Sequence, residues 1–281
     1  MDNLHKGDEL LGVGHDKAAA YAADIGVLGV LRALMRLRGL VLLPFLARTL
    51  GPAAFGVWTQ SLVAIDIGSS IIGLQLHQAV VRFVAGAEDR EQQREIFFPV
   101  LFITIALGFL VSCLTLLLPK PISSVILGDI SYVDIARWLG LWIAANAISR
   151  VGLQLLRGLH RVKLYGFLST SITLVQLVTV VVVLLYSNEL SMAIFTAIVV
   201  EIIGALLILT ICFAEVGVGL SRWKRLRAIL KFSLPLVPGY IADLLLSFSD
   251  RLIIAAMLGS EAIGIYAAAY TLARLMREIF V

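Results

Sequence analysis

Long apolar runs separated by short charged stretches set the pattern of this chain. Residues 96–118 and 165–186 carry no charge, and 190–214 carries only Glu201. Each run exceeds the roughly 20 apolar residues a helix needs to cross a bilayer. Three further runs are interrupted. Residues 138–156 contain Arg150, 55–81 contain Asp66 and His77, and 232–258 contain Asp243, Asp250 and Arg251. Two are weaker. Residues 25–50 include Arg32, Arg36 and Arg38, and the last run is apolar from 262 to Ala273 before Arg274 and Arg277. The pattern predicts an all-α membrane protein with about eight transmembrane helices.

Loop charge gives the layout a direction. If the N-terminus is cytoplasmic, the inner segments are 1–38, 82–95, 150–163, 215–231 and 274–281, and they hold 19 of the 23 Lys and Arg residues. Such a bias toward one side predicts both termini in the cytoplasm. The segment Arg222-Trp223-Lys224-Arg225-Leu226-Arg227 mixes basic, aromatic and aliphatic residues and reads as an interfacial helix against anionic membrane lipids. Pro235, Pro238 and Gly239 make the seventh span a candidate for a bent or broken helix; the bland alternative is a helix entrance.

Composition removes the competing classes. Of 281 residues 60% are hydrophobic and 15% charged, with a mean hydropathy of +0.97. Soluble domains run near 45–50% apolar, so a soluble enzyme or a disordered chain is excluded. The net charge of +4 fits the inner loops rather than nucleic acid. Cys113 and Cys212 both sit in apolar runs, and no Cys/His pair has metal-ligand spacing, so neither metal nor cofactor is expected. The first 24 residues lack the apolar core of a cleavable signal peptide.

One motif recurs. Leu50-Gly51-Pro52-Ala53-Ala54-Phe55-Gly56-Val57-Trp58 returns as Leu258-Gly259-Ser260-Glu261-Ala262-Ile263-Gly264-Ile265-Tyr266, an offset of 259 − 51 = 208. Both copies lie at outer junctions, after the first and the seventh spans. Six spans separate them, so the two units share one orientation: a parallel repeat about an axis along the membrane normal. Glycine suits the tight turn each junction requires.

These residues carry a resemblance. Residues 42–57 resemble the first-helix hallmark of polysaccharide biosynthesis flippases, the Wzx-like members of the multidrug/oligosaccharidyl-lipid/polysaccharide exporter superfamily. Val80-Val81-Arg82-Phe83 is similar to the cytoplasmic end of that family's second helix. Residues 230–238, Ser249-Asp250-Arg251-Leu252-Ile253-Ile254 and 258–270 look like the start of its second lobe. The resemblance implies two six-helix lobes around a central cavity, with a leader at 1–24, a first lobe at 25–214, a basic cytoplasmic linker at 215–231 and the start of a second lobe at 232–281. It implies alternating-access flipping of a polyprenyl-pyrophosphate-linked oligosaccharide across the cytoplasmic membrane, for cell-surface polysaccharide. Val281 aligns with position 73 of the first copy, so the chain stands as one lobe plus the first two helices of the next. A truncated product, and a second chain completing the lobe, are the resulting expectations.

Charges within spans are the candidate site, because an ionisable group there is costly and faces a cavity or a partner. Arg32 and Arg36, one turn apart, either receive a lipid diphosphate at the cytoplasmic mouth or snorkel to the headgroups. Asp66 and Glu201 are candidates for ion coupling, against a structural ion pair. Asp243 faces the lobe interface if the resemblance holds, either as a substrate-binding charge in the cavity or as a polar packing residue. Arg150 reads as a snorkelling residue, and His77 as a structural histidine. Asn146, Gln154, Thr170, Ser171, Thr173 and Gln176 serve either interhelical hydrogen bonds or a sugar path. Other functions stay open: a cation-coupled multidrug exporter, a non-transporting remnant, or an intramembrane transferase, which the scattered His5, His15, His77 and His160 disfavour.

Overall fold

The computed structural model describes residues 49, 51–219 and 223–280. Among them there is no strand, and six helices are long and apolar enough to cross a membrane. In chain order the α-helices are α1 (Gly51–Gly73), the short α2 (Leu76–Ala85), α3 (Arg90–Leu117), the short α4 (Pro119–Ile122), α5 (Val133–Gly158), α6 (Val162–Ser187), α7 (Leu190–Val216), the short α8 (Leu226–Ser233) and α9 (Leu236–Phe280), the six span-capable ones being those not called short. The all-α membrane architecture is as the hydropathy pattern predicts.

The uncharged runs fold as read. The run at 165–186 is α6 and that at 190–214 is α7, each extended by only a few residues. The run at 96–118 gains a polar first turn, because Asp89 caps α3 by accepting from the Gln92 N–H at 2.8 Å. Two boundaries differ. The run at 138–156 lies within a longer helix, because α5 begins at Val133. Asp134 in its first turn suits the positive helix end and also accepts from Arg137 at 3.0 Å. The run at 55–81 is not one helix. Leu74 (φ 42°) and Gln75 (φ 56°) are left-handed, which ends α1 and starts α2. Neither residue is glycine, so the break is held by packing at a cost of about 1–2 kcal/mol per residue. Leu76, Val80 and Val84 of α2 are buried just beyond it.

The prolines of the seventh span mark a helix entrance. Helix α8 ends at Ser233, a turn at Leu234 and Pro235 follows, and α9 begins at Leu236. A first-turn proline forfeits no intrahelical bond. The bend lies instead at Gly259 (φ 82°, ψ −177°). The Tyr266 hydroxyl reaches Asp250 across this bend. On a straight helix residues 16 apart would lie about 24 Å from each other, so α9 is two antiparallel arms, 236–258 and 260–280, each long enough to span.

Packing divides into two apolar cores stacked along the bundle. One joins Trp58, Ile72, Leu139, Trp142, Leu184 and Ile194, with Ala267 of the second α9 arm. The other joins Leu76, Val84, Phe97, Leu155, Cys212 and Ile229. Along α1–α2, α5, α6 and α7 the members of the first core all lie on one side of a level, and those of the second on the other. Large apolar residues such as Phe102, Phe109, Leu117 and Leu185 face outward, as lipid-solvated helices require.

Candidate functional site

Between the two apolar cores lies a polar layer. The midpoints of α5, α6 and α7 are 145.5, 174.5 and 203, and Asn146, Gln176 and Glu201 each fall within two residues of them. Asp66 and Arg150 join the same level. The layer surrounds a cavity of about 290 Å³ lined by polar groups from α1, α5, α6 and α7.

Helical spacing builds the centre of this layer. Asp66 and Ser70 are one turn apart on α1, and Asn146 and Arg150 are one turn apart on α5, so each pair shares a face. The Arg150 guanidinium donates to three acceptors: Nη2 to Asp66 Oδ1 at 2.5 Å, Nε to Asn146 Oδ1 at 2.9 Å and Nη1 to Ser70 Oγ at 3.4 Å. Asn146 passes the connection on, donating from Nδ2 to Glu201 Oε1 at 3.3 Å. In the other direction Ser70 Oγ hydrogen-bonds the Tyr240 hydroxyl on the first arm of α9 at 2.7 Å. One continuous network thus runs from Glu201 on α7 to Tyr240. A rigid fork with five donors suits this role, where a lysine would offer one point of charge.

The network is not sealed. Asp66 is 51% and Arg150 33% exposed, while Glu201 is only 7% exposed. The Ser149 hydroxyl, on the cavity wall, is buried and has no hydrogen-bond partner among the described residues. A polar cavity of this size with an unmatched hydroxyl accommodates water or a small polar guest. Among the described residues no group of three or more His, Cys, Asp or Glu side chains could hold a metal ion. Cys113 and Cys212 are free thiols, the latter packed against the Gly152 carbonyl.

The candidates from the sequence are therefore sorted. Asp66 and Glu201 come together in one network. Asp66 has an arginine partner, Arg150 on α5. Arg150 does not snorkel; its side chain turns inward because Asp66, Ser70 and Asn146 await it. Asp243 is exposed and stands outside the network. Tyr240, one turn earlier, makes the contact to α1. Gln176 bonds the Ala197 carbonyl at 3.1 Å, an interhelical bond. Asp250 and Arg251 both engage the second arm of α9, through Tyr266 and through the Tyr270 ring 4.5 Å from the guanidinium. Arg32 and Arg36 lie outside the described residues. Arg150, Ser70 and Tyr240 were missed as site residues; the Asn146/Arg150 spacing was the signal for the first.

The basic segment after α7 is tied to the bundle. Arg94 donates to the Val216 carbonyl at 2.8 Å, Arg225 pairs with Glu95 at 3.7 Å, and Arg82 stacks on Phe232 at 4.5 Å. Trp223, Lys224, Arg227 and Lys231 remain exposed.

A family model described as polysaccharide biosynthesis protein matches residues 21–281. The chain belongs to that family. It is the family of Wzx-like polysaccharide biosynthesis flippases, whose members are membrane transporters rather than enzymes. Neither a curated protein nor a solved structure matches the chain. Six long apolar helices give the chain the span-capable elements of a multi-pass membrane protein.

Proposed function

We propose that the chain flips a polyprenyl-pyrophosphate-linked oligosaccharide across the cytoplasmic membrane by alternating access, as part of cell-surface polysaccharide biosynthesis. The observation that carries this reading is the polar network of ionisable side chains at mid-bundle in a chain of this family. Four helices spend their central turns on Asp66, Asn146, Gln176, Arg150 and Glu201 rather than on apolar packing. Such residues mark transport or coupling pathways in membrane proteins. Asp66 and Glu201 couple transport to a cation through the cavity beside them. Arg32 and Arg36 receive the diphosphate at the cytoplasmic mouth. Both termini are cytoplasmic, and the residues divide as leader 1–24, first lobe 25–214, linker 215–231 and second lobe from 232.

A multidrug exporter that trades substrate for cations is the second reading, favoured by the two acids. Arg32 and Arg36 weigh against it, because basic groups at the cytoplasmic mouth favour a lipid diphosphate over a cationic drug. Expression in flippase-null cells separates the readings. Restored surface polysaccharide, lost on Asp66→Asn or Glu201→Gln, supports the lipid-linked substrate. Drug resistance without restored polysaccharide supports the other.

A further inference from the structure

The two copies of the repeated motif touch each other. A Cβ built on Gly56 would collide with the Ser260 carbonyl oxygen and come within 2.9 Å of the Gly264 nitrogen. A Cβ built on Gly264 would collide with the Pro52 carbonyl oxygen and come within 3.1 Å of the Gly56 nitrogen. Pro52 and Ser260 are equivalent under the offset of 208, as are Gly56 and Gly264. The contact is therefore self-complementary: each copy presents its glycine to the same carbonyl of the other. This is the signature of a two-fold relation. The junction glycines agree, with φ of 80° at Gly51 and 82° at Gly259. Backbones pressed this close leave room for little besides the Ile263 side chain, whose Cγ2 would lie 2.9 Å from a Cβ on Gly56, so the helices can turn about the crossing but cannot separate without losing it. A second close approach braces the same end, where Gly128 (φ 77°) lies against Ala255, Gly259 and Ser260.

At the other end of α1 the link to α9 is of a different kind. There, among the described residues, a hydrogen bond joins Ser70 to Tyr240. The residues around it on α9 are exposed or half-exposed, including Leu236, Ile241 and Asp243.

We propose that the Gly56–Gly264 crossing is a fixed pivot on which the two repeats rock, and that the Ser70–Tyr240 bond is the releasable contact at the far end. The proposal rests on the alternating-access reading, of which it describes the opening toward the cytoplasm, and not on the identity of the substrate. Gly56 and Ser70 are 14 positions apart on one helix, about 21 Å. A rotation of roughly 15°, the size of known rigid-body switches, moves the far end by about 5 Å and leaves the pivot in place. Tyr240 also connects this motion to the charge network, because its partner Ser70 accepts from Arg150.

The test is a pair of spin-label distance measurements on the 281-residue chain, in phosphatidylethanolamine/phosphatidylglycerol vesicles, with Cys113 and Cys212 replaced by alanine. One variant carries Pro52→Cys with Glu261→Cys, both exposed, beside the pivot. The other carries Ile71→Cys with Ile241→Cys, also exposed, beside the far contact. The expected result is a narrow distribution at the pivot and a far-end distribution at least about 5 Å broader. Tyr240→Phe widens the far-end distribution further and leaves the pivot narrow. A pivot distribution as broad as the far-end one, whether both are narrow or both wide, overturns the proposal. An unchanged far end in Tyr240→Phe overturns the role of that bond. Neither measurement involves substrate, so failure of the export assay is a separate result.

Discussion

At the scale of single residues, Arg150 organises the middle of the bundle. Its three nitrogens each have a different acceptor, and two of those acceptors come from another helix. Arg150→Gln deprives Asp66 of its partner. Because both side chains reach a polar cavity, the loss of stability in detergent is about 1 kcal/mol rather than the larger penalty of a sealed ion pair. Arg150→Lys is expected to leave most of that loss in place, since an ammonium cannot present a planar fork to three fixed acceptors. Thermal unfolding of the two variants, with a double-mutant cycle through Asp66→Asn, measures both. None of this was legible in hydropathy. A hydropathy profile reports how deep a charge sits, not which helix faces it, and the bias of arginine toward inner helix ends pointed to the headgroups. The four-residue spacing of Asn146 and Arg150 was present in the sequence but acquires meaning only once α1 is known to lie opposite.

At the scale of elements, glycines separate by what surrounds them. Gly56→Ala places a methyl group against the Ser260 carbonyl, and backbone cannot yield as a side chain can. The variant is expected to lose about 2–3 kcal/mol, the upper part of the range for overpacking. Gly239→Ala, in open space on α9, is expected to stabilise the helix by about 0.5–1 kcal/mol. Unfolding temperatures of the two variants should move in opposite directions. The α1–α2 break offers a third case. Gln75 is left-handed and 5% exposed, and its Nε2 has no partner among the described residues. Gln75→Gly removes both penalties and is expected to raise stability by about 1 kcal/mol or more in the same assay. The uninterrupted spans were readable because their length and apolarity admit one solution in lipid. The break was not, because no Gly or Pro stands at 74 or 75 and the apolar run continues through it. The bend at Gly259 was readable through its repeat partner Gly51, although Pro235 and Pro238 competed for the same role.

At the scale of the whole molecule, the charge bias predicts a sidedness that the fold can test. Tyr186 lies at the end of α6 and is 89% exposed; Val218 follows α7 and is 80% exposed. Cysteine at 186 is expected to react with an impermeant maleimide added to intact cells, and cysteine at 218 only after the membrane is opened. The reverse pattern would overturn the proposed orientation. The parallel repeat, read from one short motif, gains its support from an interaction no sequence comparison contains: the two copies are in contact with each other.

The hairpin of α9 also bears on how the protein is made. Asp250 and Arg251 lie eight or nine residues before Gly259, about 13 Å from the turn and so near the bilayer centre. Inserted alone, the first arm would carry both charges there, at about 2.5–3.5 kcal/mol each on insertion scales. Their partners, Tyr266 and Tyr270, are synthesised later, on the second arm. The first arm therefore has reason to wait at the translocon until the second emerges, so that the pair enters the lipid together as one pre-matched unit.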